Sequence, residues 1–333
     1  MIKVGIVGVS GYTGLELVKM LLNHKHFEVT YLATTQGADD ITKLHPSLQT
    51  IFSQKVEVAD VDTIVKNCEL VFLAVPHKSA MELVKPLMQS DIKIVDFSAD
   101  YRLTQELYEK AYCPHTDVDN LKNSVYALIE LYREEIKKAR LVAGPGCYPT
   151  ASLLGLAPFL KVITSSVFID AKSGVSGAGK KLSDVTHFVN VNENMFAYAP
   201  FEHRHGVEIS QKVALLGRED LEVFFVPHLI PSTRGMLASI YCSVEEDIDA
   251  IALLQEFYKD EAFIRIRTEP VSMKDVAGTH FCDIYVKQQG TTLFIESAID
   301  NLLRGASSQA LAAANLMCGI DEGEGIPLIA YAP

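Results

Sequence analysis

The sequence predicts an α/β protein in which a doubly wound parallel sheet is followed by an α+β domain with a mostly antiparallel sheet. Three observations support this fold class. The chain has 333 residues, enough for about two domains of roughly 150 residues each. In the first half, short β-branched runs alternate with helical patterns, which is typical of parallel sheets. In the second half, strand-like runs follow one another with fewer helices between them, which favours antiparallel pairing.

The elements of the first half follow from their apolar runs. Ile2–Val7 is β-branched and predicts a strand. Apolar residues at helical spacing predict a helix over Glu16–Asn23. Leu70–Val75 is nearly all apolar, as in a strand that is covered on both faces. The same criteria predict strands at Glu28–Ala33, Ile92–Phe97 and Arg140–Ala143 and a helix at Ser79–Met88.

The second half contributes most of the remaining strands. Its predicted strands are Ser165–Ala171, Leu221–Val226, Leu237–Val244, Asp283–Lys287 and Thr292–Ser297. Its predicted helices are Ala151–Leu160, Asp247–Tyr258 and Leu302–Met317.

Composition excludes several classes of partner. Lys and Arg number 30 and Asp and Glu number 42, a net charge of −12, so phosphate-backbone binding is disfavoured and we expect no nucleic acid. No apolar run is long enough to cross a bilayer, and the N-terminus has the pattern of a strand, not of a signal peptide. The six cysteines form no CxxC pair. We therefore expect no disulfide framework, no membrane partner and a cytoplasmic location.

A glycine-rich turn follows the first predicted strand. Glycines spaced three apart allow a sharp turn, close approach of a ligand and tight packing of the next helix. The helix N-terminus would then face a pyrophosphate, although a turn without a ligand has the same spacing. We expect a Rossmann-type dinucleotide-binding domain over residues 1–146, joined by a C-terminal helix at about 301–333. Its candidate cofactor residues from this turn are Gly8, Gly11 and Gly14.

The end of the second strand bears on cofactor choice. A carboxylate there would bind the ribose 2′-hydroxyl of NAD, but the chain has Thr34 and Thr35 instead. A 2′-phosphate would not be repelled, which favours NADP over NAD. The usual arginine is also missing, and the two threonine hydroxyls could donate hydrogen bonds in its place.

Cys147 is the candidate nucleophile. It follows Gly144-Pro145-Gly146, which predicts a tight turn, and it precedes a predicted helix. A helix N-terminus lowers the pKa of a thiol and favours the nucleophilic thiolate. The other five cysteines lack such a turn and are interpreted as small buried residues.

Two histidines close together are candidate proton partners for this thiol. His203 and His205 flank an arginine, and Glu208 could orient one imidazole as the third member of a relay. A solvated polar loop is the alternative. We expect no metal site, because structural zinc sites need paired ligands at short spacing and no second pair is present.

Two segments are candidates for binding an anion. The stretch from Ser173 to Lys181 combines flexible backbone donors with two lysines. It lacks the Gly-Lys-Ser/Thr ending of a nucleotide triphosphatase loop. Arg234 offers a planar fork for a carboxylate or phosphate. The lysines of the first segment and Arg234 could equally be solvated surface charges.

Taken together, the motifs resemble the semialdehyde dehydrogenase family over nearly the whole chain. The matching segments are Gly8–Leu17, Leu44-His45-Pro46, Ala74–His77, Ser98–Leu103, Gly144–Thr150, Ser173–Gly179, His203–His205, Pro227–Pro231 and Asp300-Asn301-Leu302. The resemblance implies that Cys147 is the active-site cysteine and that His203 is the catalytic histidine, with His205 close enough to compete for that role. It extends the candidate cofactor residues to Ser10, Tyr12, Thr13, Pro76, Gly177 and Asn301. Candidate substrate residues are Arg102, Ser173, Lys180 and Arg234.

The resemblance also implies a reaction. The thiolate would attack an acyl phosphate, and hydride from NADPH would reduce the resulting thioester to an aldehyde. The pattern is most similar to the branch that reduces N-acetyl-gamma-glutamyl phosphate in arginine biosynthesis. Rival branches act on aspartate semialdehyde or on N-acetyl-aminoadipyl phosphate, whose chain is one methylene longer. Residues 147–300 would form a catalytic and oligomerisation domain, giving a homotetramer or dimer. A Cys–His hydrolase and a non-catalytic dinucleotide sensor are alternatives from other classes.

Overall fold

The computed structural model describes residues 1–244 and 248–331. The chain forms two compact units. The first comprises Met1–Pro145 and Ala306–Ile326, and the second comprises Gly146–Gly305 and Pro327–Pro333. Over the described ranges, no helix is both long and apolar enough to span a bilayer.

The described residues form two sheets and the helices that accompany them. The strands are β1 (Ile2–Val7), β2 (Phe27–Thr34), β3 (Glu57–Val58), β4 (Leu70–Leu73), β5 (Lys93–Asp96), β6 (Val125–Tyr126), β7 (Leu141–Ala143), β8 (Val167–Gly174), β9 (Phe196–Ala197), β10 (Val223–Ile230), β11 (Met236–Ser243), β12 (Ile264–Ile266), β13 (Cys282–Gln289) and β14 (Thr292–Ile299). The α-helices are α1 (Tyr12–Leu21), α2 (Ile41–Leu44), α3 (Val61–Asn67), α4 (Ala80–Leu87), α5 (Gln105–Ala111), α6 (Val118–Asn123), α7 (Ile129–Lys138), α8 (Cys147–Leu156), α9 (Phe188–Val191), α10 (Arg204–Leu215), α11 (Ala250–Phe257), α12 (Met273–Val276) and α13 (Ser308–Met317). A π-helical turn, Leu303–Ser307, precedes α13.

The sheet of the first unit is parallel throughout. Its strand order is β3-β2-β1-β4-β5-β7-β6, and each described pair is parallel. The chain leaves β1 toward β2 on one side and resumes at β4 on the other. In such sheets a ligand binds beyond the carboxyl ends of the strands at this switch point. The predicted doubly wound sheet is confirmed.

The sheet of the second unit is mixed. Its strand order is β12-β13-β14-β11-β8-β10-β9. Only β12 with β13 and β8 with β10 are parallel pairs among the described residues, so the predicted mostly antiparallel sheet is confirmed. Helix α8 packs on one face, where a Cβ on Gly155 would lie 3.1 Å from Ile240. Every residue of α8 after Cys147 is buried, as expected of a helix covered on all sides.

Several predicted helix limits are wrong. Helix α1 begins at Tyr12, not Glu16, with Gly11 as its N-cap. Helix α8 begins at Cys147, not Ala151, because Pro149 lies in the first turn, where its missing N–H has no intrahelical acceptor to lose. The predicted helix Asp247–Tyr258 starts at Asp247, outside the described residues. The predicted helix Leu302–Met317 divides into the π-helical turn and α13.

Candidate active site

The glycine turn of the first unit has the geometry of a dinucleotide site. Gly8 has φ +90°, and a Cβ there would lie 2.1 Å from the carbonyl oxygen of Ala74. A Cβ on Gly14 would lie 2.7 Å from Cα of Val9, so α1 starts directly against the turn. A Cβ on Gly11 would lie 3.7 Å from its nearest atom, the carbonyl oxygen of Gly8, so a ligand has room to approach the backbone there. A tight turn, open space and a helix N-terminus without a side-chain cap fit a pyrophosphate.

Two polar side chains hold this turn in place. The buried His45 donates from Nε2 to the carbonyl oxygen of Val9 at 2.7 Å. The Ser307 hydroxyl donates to the carbonyl oxygen of Thr13 at 3.0 Å. The bracing role of His45 was not predicted, although its Leu-His-Pro motif was among the matching segments.

The loop after β4 lies beside the turn and carries the exposed Pro76. Lys78 has φ +75°, a conformation that costs free energy for a side-chain-bearing residue. The buried carboxylate of Asp100 accepts the N–H groups of Lys78 and Ala80 at 2.7 and 3.0 Å. Asp100 therefore fixes this loop.

The remaining first-unit candidates have different surroundings. Thr34 Oγ1 accepts the N–H of Gly37 at 2.9 Å, so its own O–H can still be donated. Thr35 is exposed at the end of β2. Arg102 is buried and donates from Nη2 to the carbonyl oxygen of Phe97 at 2.7 Å. This contact braces a loop of the first unit, and the substrate role of Arg102 stays a prediction.

In the second unit, Cys147 is the first residue of α8, with Gly146 as N-cap. Its thiol is partly exposed and lies where the helix dipole favours a thiolate. Glu208 Oε1 accepts the N–H of Gly146 at 2.9 Å, which fixes the start of the helix. A Cβ on Gly305 would lie 2.7 Å from Cβ of Cys147, so the backbone at 305 packs directly against the cysteine.

Other thiols are poor candidates for the nucleophile. Burial raises the pKa of Cys68 and Cys318 to about 11 and that of Cys242 to about 12. These three groups remain protonated at neutral pH, which agrees with their interpretation as structural residues.

His203 and His205 lie at the start of α10. His203 is the N-cap, and its Nδ1 accepts the N–H of His205 at 3.1 Å. Burial, and then Arg204, lower the pKa of His203 to about 4, while Glu208 opposes the shift. The neutral ring therefore carries its proton on Nε2. A Cβ on Gly146 would lie 2.6 Å from Nε2 of His205, so this second ring lies against the residue that precedes Cys147.

Two tyrosines complete this cluster and were not predicted. Tyr198 donates to the hydroxyl of Tyr148 at 3.1 Å, and Tyr148 donates to the carbonyl oxygen of His228 at 3.1 Å. Burial raises the pKa of both phenols, to about 12 for Tyr198, and the charge of Cys147 contributes to each rise. Tyr148 is adjacent to the cysteine in sequence, but nothing in the sequence marks Tyr198.

The candidate anion-binding residues also meet in the second unit. The N–H of Val175 donates to the carbonyl oxygen of Ser232 at 2.8 Å, which joins the Ser173 loop to the Arg234 turn. Asn301 links the same two segments, since Nδ2 donates to Ser176 Oγ at 2.9 Å and Oδ1 accepts the N–H of Gly235 at 2.8 Å.

The two other candidates of this loop differ in their surroundings. A Cβ on Gly177 would lie 3.0 Å from Oγ of Ser173 and 3.6 Å from Nδ2 of Asn301. Gly177 therefore lies beside the linked segments. Lys180 is exposed. Among the described residues, no three histidine, cysteine or carboxylate side chains come together as metal ligands.

Family models match both halves of the chain. Residues 3–139 match the NAD binding domain of semialdehyde dehydrogenases, and residues 147–301 match their dimerisation domain. Curated relatives match from end to end. The N-acetyl-gamma-glutamyl-phosphate reductase of Sulfurovum sp. (strain NBC37-1) is 61% identical over 100% of both chains. That of Sulfurimonas denitrificans is 60% identical over 100% of this chain and 99% of its own.

Solved structures share the fold at low identity. The aspartate semialdehyde dehydrogenase with NADP from Candida albicans matches with a TM-score of 0.74 and 12% identity, covering 96% of this chain and 98% of that chain. Aspartate semialdehyde dehydrogenase II from Vibrio cholerae, complexed with ASA, matches with a TM-score of 0.72 and 13% identity over 96% and 98%.

Proposed function

Because the chain belongs to the semialdehyde dehydrogenase family, we propose that it reduces N-acetyl-gamma-glutamyl phosphate with NADPH, giving N-acetylglutamate 5-semialdehyde and phosphate. This reaction is a step of arginine biosynthesis. The observation that carries the proposal is the position of Cys147, at the N-terminus of the buried helix α8, where the ring of His205 lies against the N-cap residue Gly146 and the ring of His203 lies beside it. Full-length relatives named for this activity support the choice of substrate.

The cofactor is NADP, and we propose that the first unit, residues 1–145 with the C-terminal segment 306–326 that contains α13, holds it. The bare N-terminus of α1 fits the pyrophosphate, and the hydroxyls of Thr34 and Thr35 are suited to a 2′-phosphate. NADPH supplies the hydride when bound. Residues 147–300 would carry the remaining chemistry and the subunit contacts.

In the first step Cys147 acts as a nucleophile. Its thiolate attacks the acyl carbon, the bond from that carbon to the phosphate oxygen breaks, and phosphate leaves with the electron pair. The product is a thioester on Cys147. His205 would accept the thiol proton, a role supported by its position against Gly146, the residue that precedes Cys147. Glu208 holds Gly146 and so fixes the direction in which the thiol points.

In the second step the thioester carbonyl carbon receives a hydride and its oxygen becomes an oxyanion. The first-turn N–H groups of α8 and the neutral His203 Nε2–H can donate to this charge. The C–S bond then breaks, the aldehyde leaves, and the thiolate of Cys147 is restored. His203 suits this role because its pKa of about 4 keeps the ring neutral at neutral pH. Its charge is therefore the same in both steps, and Nε2–H remains available as a donor.

Substrate recognition is assigned to the linked segments of the second unit. Ser173, Lys180 and Arg234 provide hydroxyl and cationic groups for the phosphate or the carboxylate of the substrate. The Arg234 side chain keeps 15% of its surface exposed, and its planar guanidinium suits a carboxylate or phosphate.

The protein is a homo-oligomer, in agreement with the match to a dimerisation domain. We propose that two chains pair through the second-unit sheet and that two such dimers form a tetramer. We also propose a cytoplasmic location, because a catalytic thiolate needs a reducing compartment.

The reverse reaction tests the proposed function directly. Protein would be mixed with N-acetylglutamate 5-semialdehyde, phosphate and NADP, and formation of NADPH followed by absorbance. We expect turnover that requires phosphate, is lost in Cys147→Ala and persists in Cys113→Ala, a matched control at another partly exposed cysteine. Parallel samples with NAD and with aspartate semialdehyde would report cofactor and substrate preference. Turnover of aspartate semialdehyde alone would move the chain to the neighbouring branch.

A further inference from the structure

Asp300 is a fully buried carboxylate immediately after β14. Its Oδ1 accepts the N–H groups of Leu302 and Leu303 at 2.8 and 3.1 Å. Its Oδ2 accepts the N–H of Gly278 at 2.7 Å and Nη1 of Arg234 at 3.2 Å. The two oxygens of one side chain thus hold three different segments, with Oδ1 on one and Oδ2 on the other two.

The Oδ1 contacts lead to the nucleophile. They begin the π-helical turn Leu303–Ser307, in which the N–H of Gly305 donates to the carbonyl oxygen of Asp300 at 2.9 Å. That wide turn brings the backbone of Gly305 against Cys147, where a Cβ would lie 2.7 Å from the cysteine Cβ. Turns of this kind inside helices occur frequently at functional sites. Asp300 therefore positions the backbone segment against which Cys147 packs.

The Oδ2 contacts lead to the candidate anion-binding residue. The ion pair holds Arg234 from one side, and the ring of Tyr331 lies 5.3 Å from its guanidinium carbon. A planar fork binds a carboxylate or phosphate well only when its orientation is fixed. Asp300 supplies that constraint from the protein interior.

We propose that Asp300 is a positioning residue that fixes the Cys147 thiol and the Arg234 guanidinium relative to each other, so that the acyl carbon meets the thiol while an anionic group of the substrate is bound. The inference rests on the proposed function. Asp300 acts through its two neighbours and touches neither substrate nor cofactor.

Two substitutions separate the effect of the Oδ1 contacts from that of the Oδ2 contacts. Asp300→Ala removes both sets of contacts, whereas Asp300→Ser keeps a good N-cap oxygen for the turn but cannot reach Arg234. The matched control is Asp283→Asn, at another fully buried carboxylate of the same unit, paired with Arg265 and Arg267 at 2.5 and 2.8 Å. Two readouts are needed: KM values in the reverse assay, and the rate of Cys147 alkylation by iodoacetamide as a function of pH.

For Asp300→Ala we expect slower alkylation with a shifted pH profile and a loss of about 100-fold in kcat/KM, as for a misplaced reacting group. For Asp300→Ser we expect KM to rise about tenfold, a change of about 1.4 kcal/mol, with alkylation unchanged. Adding Arg234→Gln to Asp300→Ser should raise KM no further than Arg234→Gln alone, because the two residues act as a unit. Asp283→Asn should lower the melting temperature without changing either readout.

The inference is overturned if folded Asp300→Ala keeps wild-type alkylation and KM, if Asp300→Ser slows alkylation as much as Asp300→Ala, or if the double variant is additive. Should neither Asp300 variant fold, two other variants separate the same contacts: Arg234→Gln for the Oδ2 contacts and Gly305→Ala for the Oδ1 contacts. The first must then change KM alone, and the second must change alkylation; the reverse pattern refutes the inference. A wild-type protein without reductase activity refutes the proposed function instead, and the alkylation readout stays interpretable.

Discussion

His203 and His205 are separated by one residue, yet their rings have different surroundings. His203 uses Nδ1 to cap α10 and has a pKa of about 4, chiefly because its ring is largely removed from water. His205 lies with Nε2 against Gly146. A histidine that is already neutral and donates from Nε2 suits an oxyanion, whereas one beside the nucleophile suits removal of the thiol proton.

This difference predicts distinct losses. His205→Asn should slow alkylation of Cys147 at pH 7 and shift its pH profile upward, because the thiol loses its base. His203→Asn should leave alkylation nearly unchanged and lower kcat by about 100-fold, the typical effect of losing one oxyanion donor. Iodoacetamide kinetics and steady-state kcat would distinguish them. If His203→Asn alone shifts the alkylation profile, the two roles are exchanged.

Gly146 and Gly305 lie in close contact with His205 and Cys147, respectively, and Gly206 provides a control. Gly146→Ala would place a Cβ 2.6 Å from His205 Nε2, and Gly305→Ala would place one 2.7 Å from Cβ of Cys147. We expect each to lower kcat/KM by about 100-fold through misplacement. Gly206→Ala, in α10, meets its nearest atom at an ordinary 3.5 Å and should be active and more stable by about 0.5–1 kcal/mol. Equal effects at all three positions would contradict this explanation.

At the scale of the element, the cap of α10 makes stability depend on pH. The pKa of His203 is about 4 in the folded chain, against an ordinary value of 6.5. The unfolded chain therefore binds the proton more readily. The contribution of His203 to the free energy of unfolding has its full value above about pH 6.5, falls as the pH drops toward 4, and levels off below pH 4. By linkage the loss reaches about 3 kcal/mol.

His203→Asn keeps a good cap and removes the titration. Its free energy of unfolding, measured with urea between pH 7 and pH 4, should therefore fall less than that of the wild type. Parallel pH curves for the two proteins would show that His203 does not carry the effect.

Most strands that the sequence predicts correctly are apolar runs of four or more residues. The eight-residue strands β8, β11 and β14 all overlap their predictions. The strands that it misses are β3, β6, β9 and β12, each of two or three residues. All four lie at sheet edges, where natural sheets often end in short strands that give no periodic signal. Helix starts also shifted, because Gly11 and Pro149 both lie where a pattern search expects a loop.

At the scale of the whole molecule, motifs identified the candidate residues but not their contacts. The motif predicts that Glu208 orients an imidazole, and it gives no sign of the hydrogen bond that Glu208 accepts from the N–H of Gly146. Asn301 was placed near the cofactor by resemblance, and in the structure it joins the Ser173 loop to the Arg234 turn. Such contacts join residues more than 60 positions apart, and neither spacing nor propensity contains that information.

The outer face of the second sheet bears on assembly. Phe168 and Tyr241 point away from α8 and are 53% and 46% exposed. Phe168 stacks on Phe224 with ring centroids 5.0 Å apart, and Tyr241 packs on Phe294 at 5.1 Å. Exposed aromatic patches of this kind mark interaction sites, and this unit matches a dimerisation domain. A second copy of the chain is therefore the expected occupant.

Charges placed on this face should separate the chains. In Phe168→Glu/Tyr241→Glu, association would bury two unpaired carboxylates on each chain, which is strongly unfavourable. Sedimentation equilibrium should show a tetramer or dimer for the wild type and the mass of one chain for the variant. Ile51→Glu, at a 69% exposed apolar residue of the first unit, is the matched control and should keep the wild-type mass. A variant that still associates would place the interface elsewhere on the chain, and a monomeric wild type would refute the proposed assembly.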